Sequence, residues 1–336
     1  MFEGVALERR KRSKLACVAI LAWFLIFLSL TGHIRADVHR VELKKQMKPG
    51  SKASFNATEQ KKALARAVMK EAEQILAGSL PEGRKNVIRE FLQRKVDNFV
   101  LSYSEQQYMD NERTGVLSLE VNVNTQTVKD SLKKWGTYYT AAGEWDYRLE
   151  VRGDLNTEQE LRLADLETVS GLRRERSAVS PVFLLRPPRK EGGRWEALLK
   201  RDEDESVYLA SSLDQLWLKT WSDFFSNREV RLRVEREMQL TASGWSTSTG
   251  IRHFHSLLGE WSTKLDRAAI QSLDFDPSGI SGTWTVYTLT PADLRNELES
   301  YLPPRGLDFR LQVKNASQPR SREANDQGWS RRLIAP

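Results

Sequence analysis

Apolar and polar positions alternate in several short stretches of the chain, and between them apolar residues recur at helical spacing. Leu117, Leu119, Val121 and Val123 share one face of a strand over 116–123. A helix follows over Thr125–Trp135, with Val128, Leu132 and Trp135 at helical intervals, and Trp145, Tyr147, Leu149 and Val151 alternate as a closing strand. The order recurs. Trp195, Ala197 and Leu199 alternate, a helix carries Leu213, Leu216, Trp217 and Phe224, and Val230, Leu232 and Val234 read as the next closing strand. In the third copy Trp284, Val286 and Thr288 form the strand. Thr290 then serves as N-cap with Pro291 in the first turn, Leu294, Leu298, Tyr301 and Leu302 make the helix face, and Leu307, Phe309, Leu311 and Val313 close it.

A helix and a strand precede each copy: 82–96 with 99–103, 157–172 with 179–185, and 250–265 with 270–275. With the preceding strand in front, each unit reads βαββαβ, a split-βαβ or ferredoxin-like arrangement. The expected fold class is α+β, with about three tandem αββαβ units behind an N-terminal transmembrane or signal helix. The expected domains are 57–152, 153–238 and 239–313, preceded by a tether over 33–56 and followed by a flexible tail over 314–336. Trp145, Trp195 and Trp284 each stand near the start of a strand and are expected to anchor cores, since buried aromatics dominate core energetics in small domains.

The N-terminus follows another rule. Residues 1–14 carry Arg9, Arg10, Lys11, Arg12 and Lys14, and residues 15–30 then run without a charge. Basic residues remain on the cytoplasmic side, which predicts an N-terminus inside and the bulk of the chain outside. As a single-pass anchor over 15–32, the segment would present Leu15, Ile20, Trp23, Phe24, Phe27 and Leu30 to the bilayer. As a signal peptide it would be cut after Ala36, although Arg35 makes a poor cleavage context. The length of the apolar run favours the anchor. The expected location is therefore the inner membrane with a periplasmic bulk, or the periplasm alone if the segment is cut.

Charge and composition narrow the function classes. The formal net charge is +7, but residues 1–36 account for +4 of it, and elsewhere Lys and Arg alternate with Asp and Glu. Nucleic-acid binding needs a concentrated basic face, so no nucleic-acid partner is expected. The single cysteine, Cys17, lies in the apolar run, which leaves the exported part without disulfides, thiolate metal sites or a cysteine nucleophile.

No catalytic or metal motif emerges, and neither cofactor nor metal is expected. His253 and His255 flank Phe254 two positions apart, which on a helix points them to different sides. Asp202–Glu205 lacks the ligand spacing of a calcium loop and reads as a solvated hairpin turn. Asp274 and Asp276 alternate around Phe275, so both face solvent from one strand. The stretches 243–246 and 278–282 are rich in Ser and Gly and read as turns. Asn56 and Asn315 begin glycan-acceptor triplets of a kind common by chance.

One stretch resembles a known family. Residues 61–76 form an Ala-rich helix, 82–96 a second helix, Val100-Leu101-Ser102-Tyr103 a strand start, and 115–124 a returning strand. In this order and spacing, residues 61–123 resemble the N-terminal domain of the flagellar T-ring assembly proteins and related periplasmic proteins. That resemblance implies a structural or assembly role in a bacterial envelope. The expectation is a non-enzymatic scaffold contacting other envelope proteins through sheet edges and open sheet faces. The alternative is a ligand-binding or enzymatic domain with a cleft between the second and third units.

Overall fold

The computed structural model describes residues 36–314 apart from Arg189, Glu191, Ser262 and Ser278. The basic segment, the apolar run with its proposed anchor residues, and the tail beyond Lys314 lie outside the described residues. Among the described residues no helix is long and apolar enough to cross a membrane. The architecture is mixed α+β with three sheets. The chain divides into two compact units, one of residues 36–68 with 93–128 and the other of 69–92 with 129–314.

The first unit holds a three-stranded antiparallel sheet of β1 (Ala36–Gln46), β2 (Val100–Asn111) and β3 (Thr114–Asn124) in the order β1-β3-β2. The segment expected as a tether therefore carries an eleven-residue strand. Its polar composition hid it, because only alternate residues such as His39 and Val41 are buried, while Val38 and Arg40 face out. Backbone pairing along the full length of β3, from Ala36 opposite Asn124 to Gln46 opposite Thr114, holds it in place. α1 (Ala57–Ile75) begins with a reciprocal cap: the Asn56 side chain accepts from the Glu59 N–H at 2.9 Å, and the Glu59 carboxylate accepts from the Asn56 N–H at 2.9 Å. Asn56 thus has a structural duty in its own triplet. Ala63, Leu64, Ala67 and Val68 of α1 and Leu117, Leu119, Val121 and Val123 of β3 are buried.

The second unit contains the other two sheets. It takes in the end of α1 and the larger part of α2 (Glu82–Arg94), and α3 (Thr125–Trp135) leads through the short α4 (Thr137–Thr140) into a five-stranded sheet. That sheet is formed by β4 (Trp145–Val151), β5 (Leu172–Arg174), β6 (Val182–Arg186), β7 (Trp195–Arg201) and β8 (Asp204–Ala210), in the order β5-β4-β6-β7-β8. β4 is parallel to both β5 and β6, and the remaining pairs are antiparallel. The strand read as closing the first domain thus sits inside the next sheet.

α5 (Thr157–Ser170) links β4 to β5, and α6 (Leu213–Ser226) follows β8. Their core is aromatic: Tyr147 lies 5.2 Å from Trp221, Phe183 lies 5.5 Å from Trp217, and the two tryptophans, one helical turn apart, are 5.5 Å from each other. The Trp217 indole N–H donates to Ser170 Oγ at 2.8 Å, which satisfies a polar group in an otherwise apolar interior.

Val230, Leu232 and Val234, expected as a strand, lie in the helix α7 (Arg228–Val234). The Asn227 side chain caps it by accepting from the Glu229 N–H, and the Arg231 N–H donates to the Asn227 carbonyl at 3.0 Å. Val230 is buried whereas Leu232 is 38% exposed, so the period-two pattern had no continuous buried face behind it. The strand begins just beyond. β9 (Arg236–Trp245), β10 (Arg267–Asp276), β11 (Gly279–Thr288) and β12 (Asp308–Val313) form an antiparallel sheet in the order β10-β11-β9-β12. α8 (Ser248–Glu260) and α9 (Pro291–Tyr301) supply Ile251, Phe254, Leu258, Leu294 and Leu298 to a core with Leu240, Trp284 and Val286.

The residues read as turns at 243–246 prove to be mostly strand. β9 runs through Ser243 to Trp245, with Gly244 at φ 93° close to the Gly306 carbonyl. Thr290 stands at the N-cap of α9 as expected but makes no side-chain cap. Instead its N–H donates to Thr288 Oγ1 at 3.0 Å.

Arg84 ties three helices of the second unit together. It donates to the Thr140 carbonyl at 2.8 Å, to Thr140 Oγ1 at 2.6 Å and to the Val169 carbonyl at 3.2 Å, which places a cation at the C-terminal ends of α4 and α5. Gly171 makes this approach feasible: it ends α5 at φ 64°, and a Cβ there would collide with the Arg84 guanidinium and the Thr140 hydroxyl. Gly171→Ala is therefore expected to destabilise the second unit by about 2–4 kcal/mol, from left-handed strain and displaced charged hydrogen bonds. Chemical denaturation followed by Trp fluorescence checks this.

Candidate interaction edges and buried ionic cluster

Three of the six sheet edges are unusually open. β2 was expected to stop at Tyr103 but continues to Asn111, then turns through Glu112-Arg113 into β3. Residues 104–111 carry no apolar alternation because neither of their faces is deeply buried; the register with β3 holds them, from Ser104 opposite Glu120 to Asn111 opposite Thr114, with Lys44 of β1 paired to Asp110 at 3.1 Å and Gln60 of α1 donating to Glu105. Register shifts near Leu101 and Asp110 bound a regular run over 102–109. Within β2, Leu101, Tyr103 and Tyr108 are exposed, and the strand carries no Lys, Arg or Pro to blunt it. Cross-strand register places Tyr103 on the face of buried Val121, and Gln60 of α1 donates to its hydroxyl at 3.2 Å.

β8 and β10 repeat the theme. β8 is the last strand of the five-stranded sheet and exposes Val207 and Leu209. It starts within the acidic run, of which Asp202 and Glu203 form a two-residue hairpin turn, with Asp202 at φ 52° and Arg201 opposite Asp204. β10 ends the four-stranded sheet and exposes Ile270, Leu273 and Phe275. These edges escape a sequence reading that looks for buried periodicity.

The expected core tryptophans fare well. Trp195 and Trp284 are buried, and Trp145 is half-buried, edge-on to Phe224 at 5.4 Å. His253 is exposed and His255 half-buried on either side of buried Phe254. Among the described residues no three His, Cys, Asp or Glu side chains gather as a metal site.

Two polar clusters in the second unit were not anticipated, because their members are distant in sequence. The first is an open cavity of about 990 Å³ around Arg84, also lined by Glu144, Glu160, Glu167, Arg173 and Arg174. Its charges are mostly engaged: Arg173 clasps Asp146 at 2.7 Å, and Glu167 accepts from both Arg174 and the Tyr147 hydroxyl. Burial lowers the Arg84 guanidinium to about 10 and, with the Glu167 carboxylate, raises the Tyr147 phenol.

The second cluster is buried. Lys129 donates to the Leu265 carbonyl at 2.5 Å, both Lys129 and Lys133 pair with Asp266, and Arg267 stands 3.7 Å from Glu235. Glu235 follows α7, and its side chain is fully buried with no hydrogen bond to either carboxylate oxygen. Burial and the neighbouring Asp266 push its carboxyl up to about 7, against the pull of Arg267, Arg231 and Lys133. Burial pushes Asp266 up too, but Lys133 and Lys129 outweigh it and hold that carboxyl below its ordinary range. Burial lowers Lys129 to about 8, and it raises the phenols of Tyr138 and Tyr139 beside the same acids.

Glu235 holds its proton more tightly in the folded chain than in the unfolded one. Its contribution therefore favours folding at acid pH and is lost as pH rises from about 4.5 through about 7. Between about pH 5.5 and about pH 8 the native protein should lose about 1–3 kcal/mol relative to Glu235→Gln. Parallel unfolding curves of the two proteins at both pH values test this.

No family model matches the chain, and no curated protein matches it in sequence. Among solved structures it is similar to an unknown protein from Galdieria sulphuraria at 9% identity and a TM-score of 0.18, covering 83% of this chain and 99% of that one. It is also similar to pitrilysin at 9% identity and a TM-score of 0.16, covering 79% of this chain and 36% of that one. Likenesses at this level do not assign a fold or an activity.

Proposed function

We propose that this chain is a non-enzymatic assembly or scaffold protein of a bacterial envelope. The apolar run over 15–30 anchors it, with its basic N-terminus in the cytoplasm, and its sheets contact other envelope proteins. The observation that supports this best is that each of the three sheets has an exposed edge strand bearing apolar side chains: β2, β8 and β10. Such edges are pairing templates, and none of the three strands carries lysine or proline, with bulges confined to the ends of β2 and to Gln271 of β10. The resemblance of residues 61–123 to the T-ring family supports the same setting.

On this reading the four-stranded sheet is a ferredoxin-like module, since β10-β11-β9-β12 is the strand order of a split βαβ. The β1-β3-β2 sheet is the same plan without its fourth strand. The five-stranded sheet, with two parallel pairings, is a distinct module between them in sequence.

A second reading, ligand binding, draws on the cavity around Arg84, where three arginines and three glutamates converge. Its arginines are already held, Arg84 by carbonyls, Arg173 by Asp146 and Arg174 by Glu167, and its lining includes no aromatic side chain, which favours a structural role.

Cross-linking in membranes of the native host, followed by purification of the full-length protein, tests the proposal. Recovery of components of one secretion, pilus or flagellar machine is the expected result. Recovery of no protein partner would contradict it and move attention to the Arg84 cavity.

A further inference from the structure

The β10 edge carries information about what it binds. Ala269 to Asp276 are all exposed, and β10 pairs on one side only, with β11. A bulge at Gln271 shifts the phase of the strand. Ile270 lies opposite Trp284, Leu273 opposite Gly282 and Phe275 opposite Ile280, so the three share the face on which Trp284 enters the core. Without the bulge, Ile270 would be in phase with Asp274 and Asp276 instead. The result is an apolar stripe running off the end of the core, with Phe275 70% exposed. On the opposite face Asp274 and Asp276 lie across from Ser281 and Gly279. No Lys, Arg or His occurs between Arg267 and Arg295, in a chain with 52 Lys and Arg.

We propose that the β10 edge binds an extended segment of another envelope protein in which aliphatic side chains alternate with Lys or Arg. Paired to β10, such a segment turns its aliphatic side chains onto the stripe of Ile270, Leu273 and Phe275. Its cations then fall on the face of Asp274 and Asp276. The open N–H and C=O groups of β10 supply the pairing whatever the guest sequence, so charge and stripe set the preference. A second copy of β10 fits less well, because antiparallel self-pairing of the exposed Asp274–Asp276 end sets carboxylates against carboxylates on that face. The inference rests on the scaffold reading and names the partner class for one of its edges.

The test uses the full-length protein in detergent with a fluorescent peptide of about eight residues alternating Lys and Val, a length that matches the exposed strand. Fluorescence anisotropy should show binding to the native protein and weakening of about tenfold or more in Asp274→Lys/Asp276→Lys, with the matching Glu–Val peptide preferring the variant. Hydrogen exchange should show new protection over 269–276 on binding. Phe275→Ser should weaken the Lys–Val peptide as well, and a Lys–Ser peptide should bind less tightly.

Unchanged Lys–Val affinity in the charge-reversed variant overturns the proposal, as does equal binding of Lys–Ser or protection confined to other strands. Circular dichroism of each variant confirms that the fold persists, which solvent-exposed substitutions should allow. In native membranes, undiminished partner recovery by the charge-reversed variant overturns the β10 assignment and leaves the scaffold reading standing. No recovery by either protein overturns the scaffold reading itself.

Discussion

Backbone N–H and C=O groups must find partners, and this obligation shapes both the sheets and what they leave open. β3 and β11 are flanked by strands on both sides, and β9 likewise sits between β11 and β12. Their neighbours at the edges satisfy only half of their polar backbone within the sheet. β2 and β10 are exposed along most of their lengths, held chiefly by ladders to β3 and β11 rather than by side-chain burial. A strand that gains little from burial yet stays long and regular is costly to order unless its outer edge is also used. That physical asymmetry carries the functional reading.

The interior relies on a different principle. Apolar packing supplies most of the stabilisation, with Trp217, Trp221, Phe183 and Tyr147 in one core and Trp284, Phe254 and Leu298 in another. Two of the buried cations connect elements. Arg84 joins α2 to the ends of α4 and α5, and the Lys129–Asp266 pair joins α3 to the turn before β10. Buried pairs of this kind add little net stability compared with apolar packing, but losing one partner leaves the other charge stranded. Glu235 shows the cost, as a buried carboxylate without a hydrogen bond that is better tolerated when protonated.

The sequence revealed elements where a buried face was lined by apolar residues throughout. β3, α3, β4, α9 and β12 were legible because their apolar residues keep a period of two or of about 3.6. Hidden elements fall into two physical groups. In β1 the buried alternate positions include a polar residue, His39, and in the far half of β2 no position is deeply buried, so pairing with β3 defines both more than apolar pattern does. At 230–234, alternation arose by composition alone, and the Asn227 cap with its following turn made a helix instead. Sheet membership was also beyond local pattern, since nothing in Trp145–Val151 says that it pairs with β5 and β6. The exposed apolar residues of β2, β8 and β10 were visible as letters, and their exposure was not. The ionic clusters join positions as far apart as Lys129 and Asp266, which no spacing argument reaches.

The central claim is that sheet edges, rather than a cleft, meet the partners. Site-specific photo-crosslinking in living cells tests it directly, with the probe placed at Gln106 on β2, Val207 on β8, Gln271 on β10 and, as a control, His253 on the exposed side of α8. The account predicts covalent adducts with other envelope proteins from one or more edge positions and none from His253. Adducts from His253 alone, or none from any position in cells that contain the full-length protein, would contradict it.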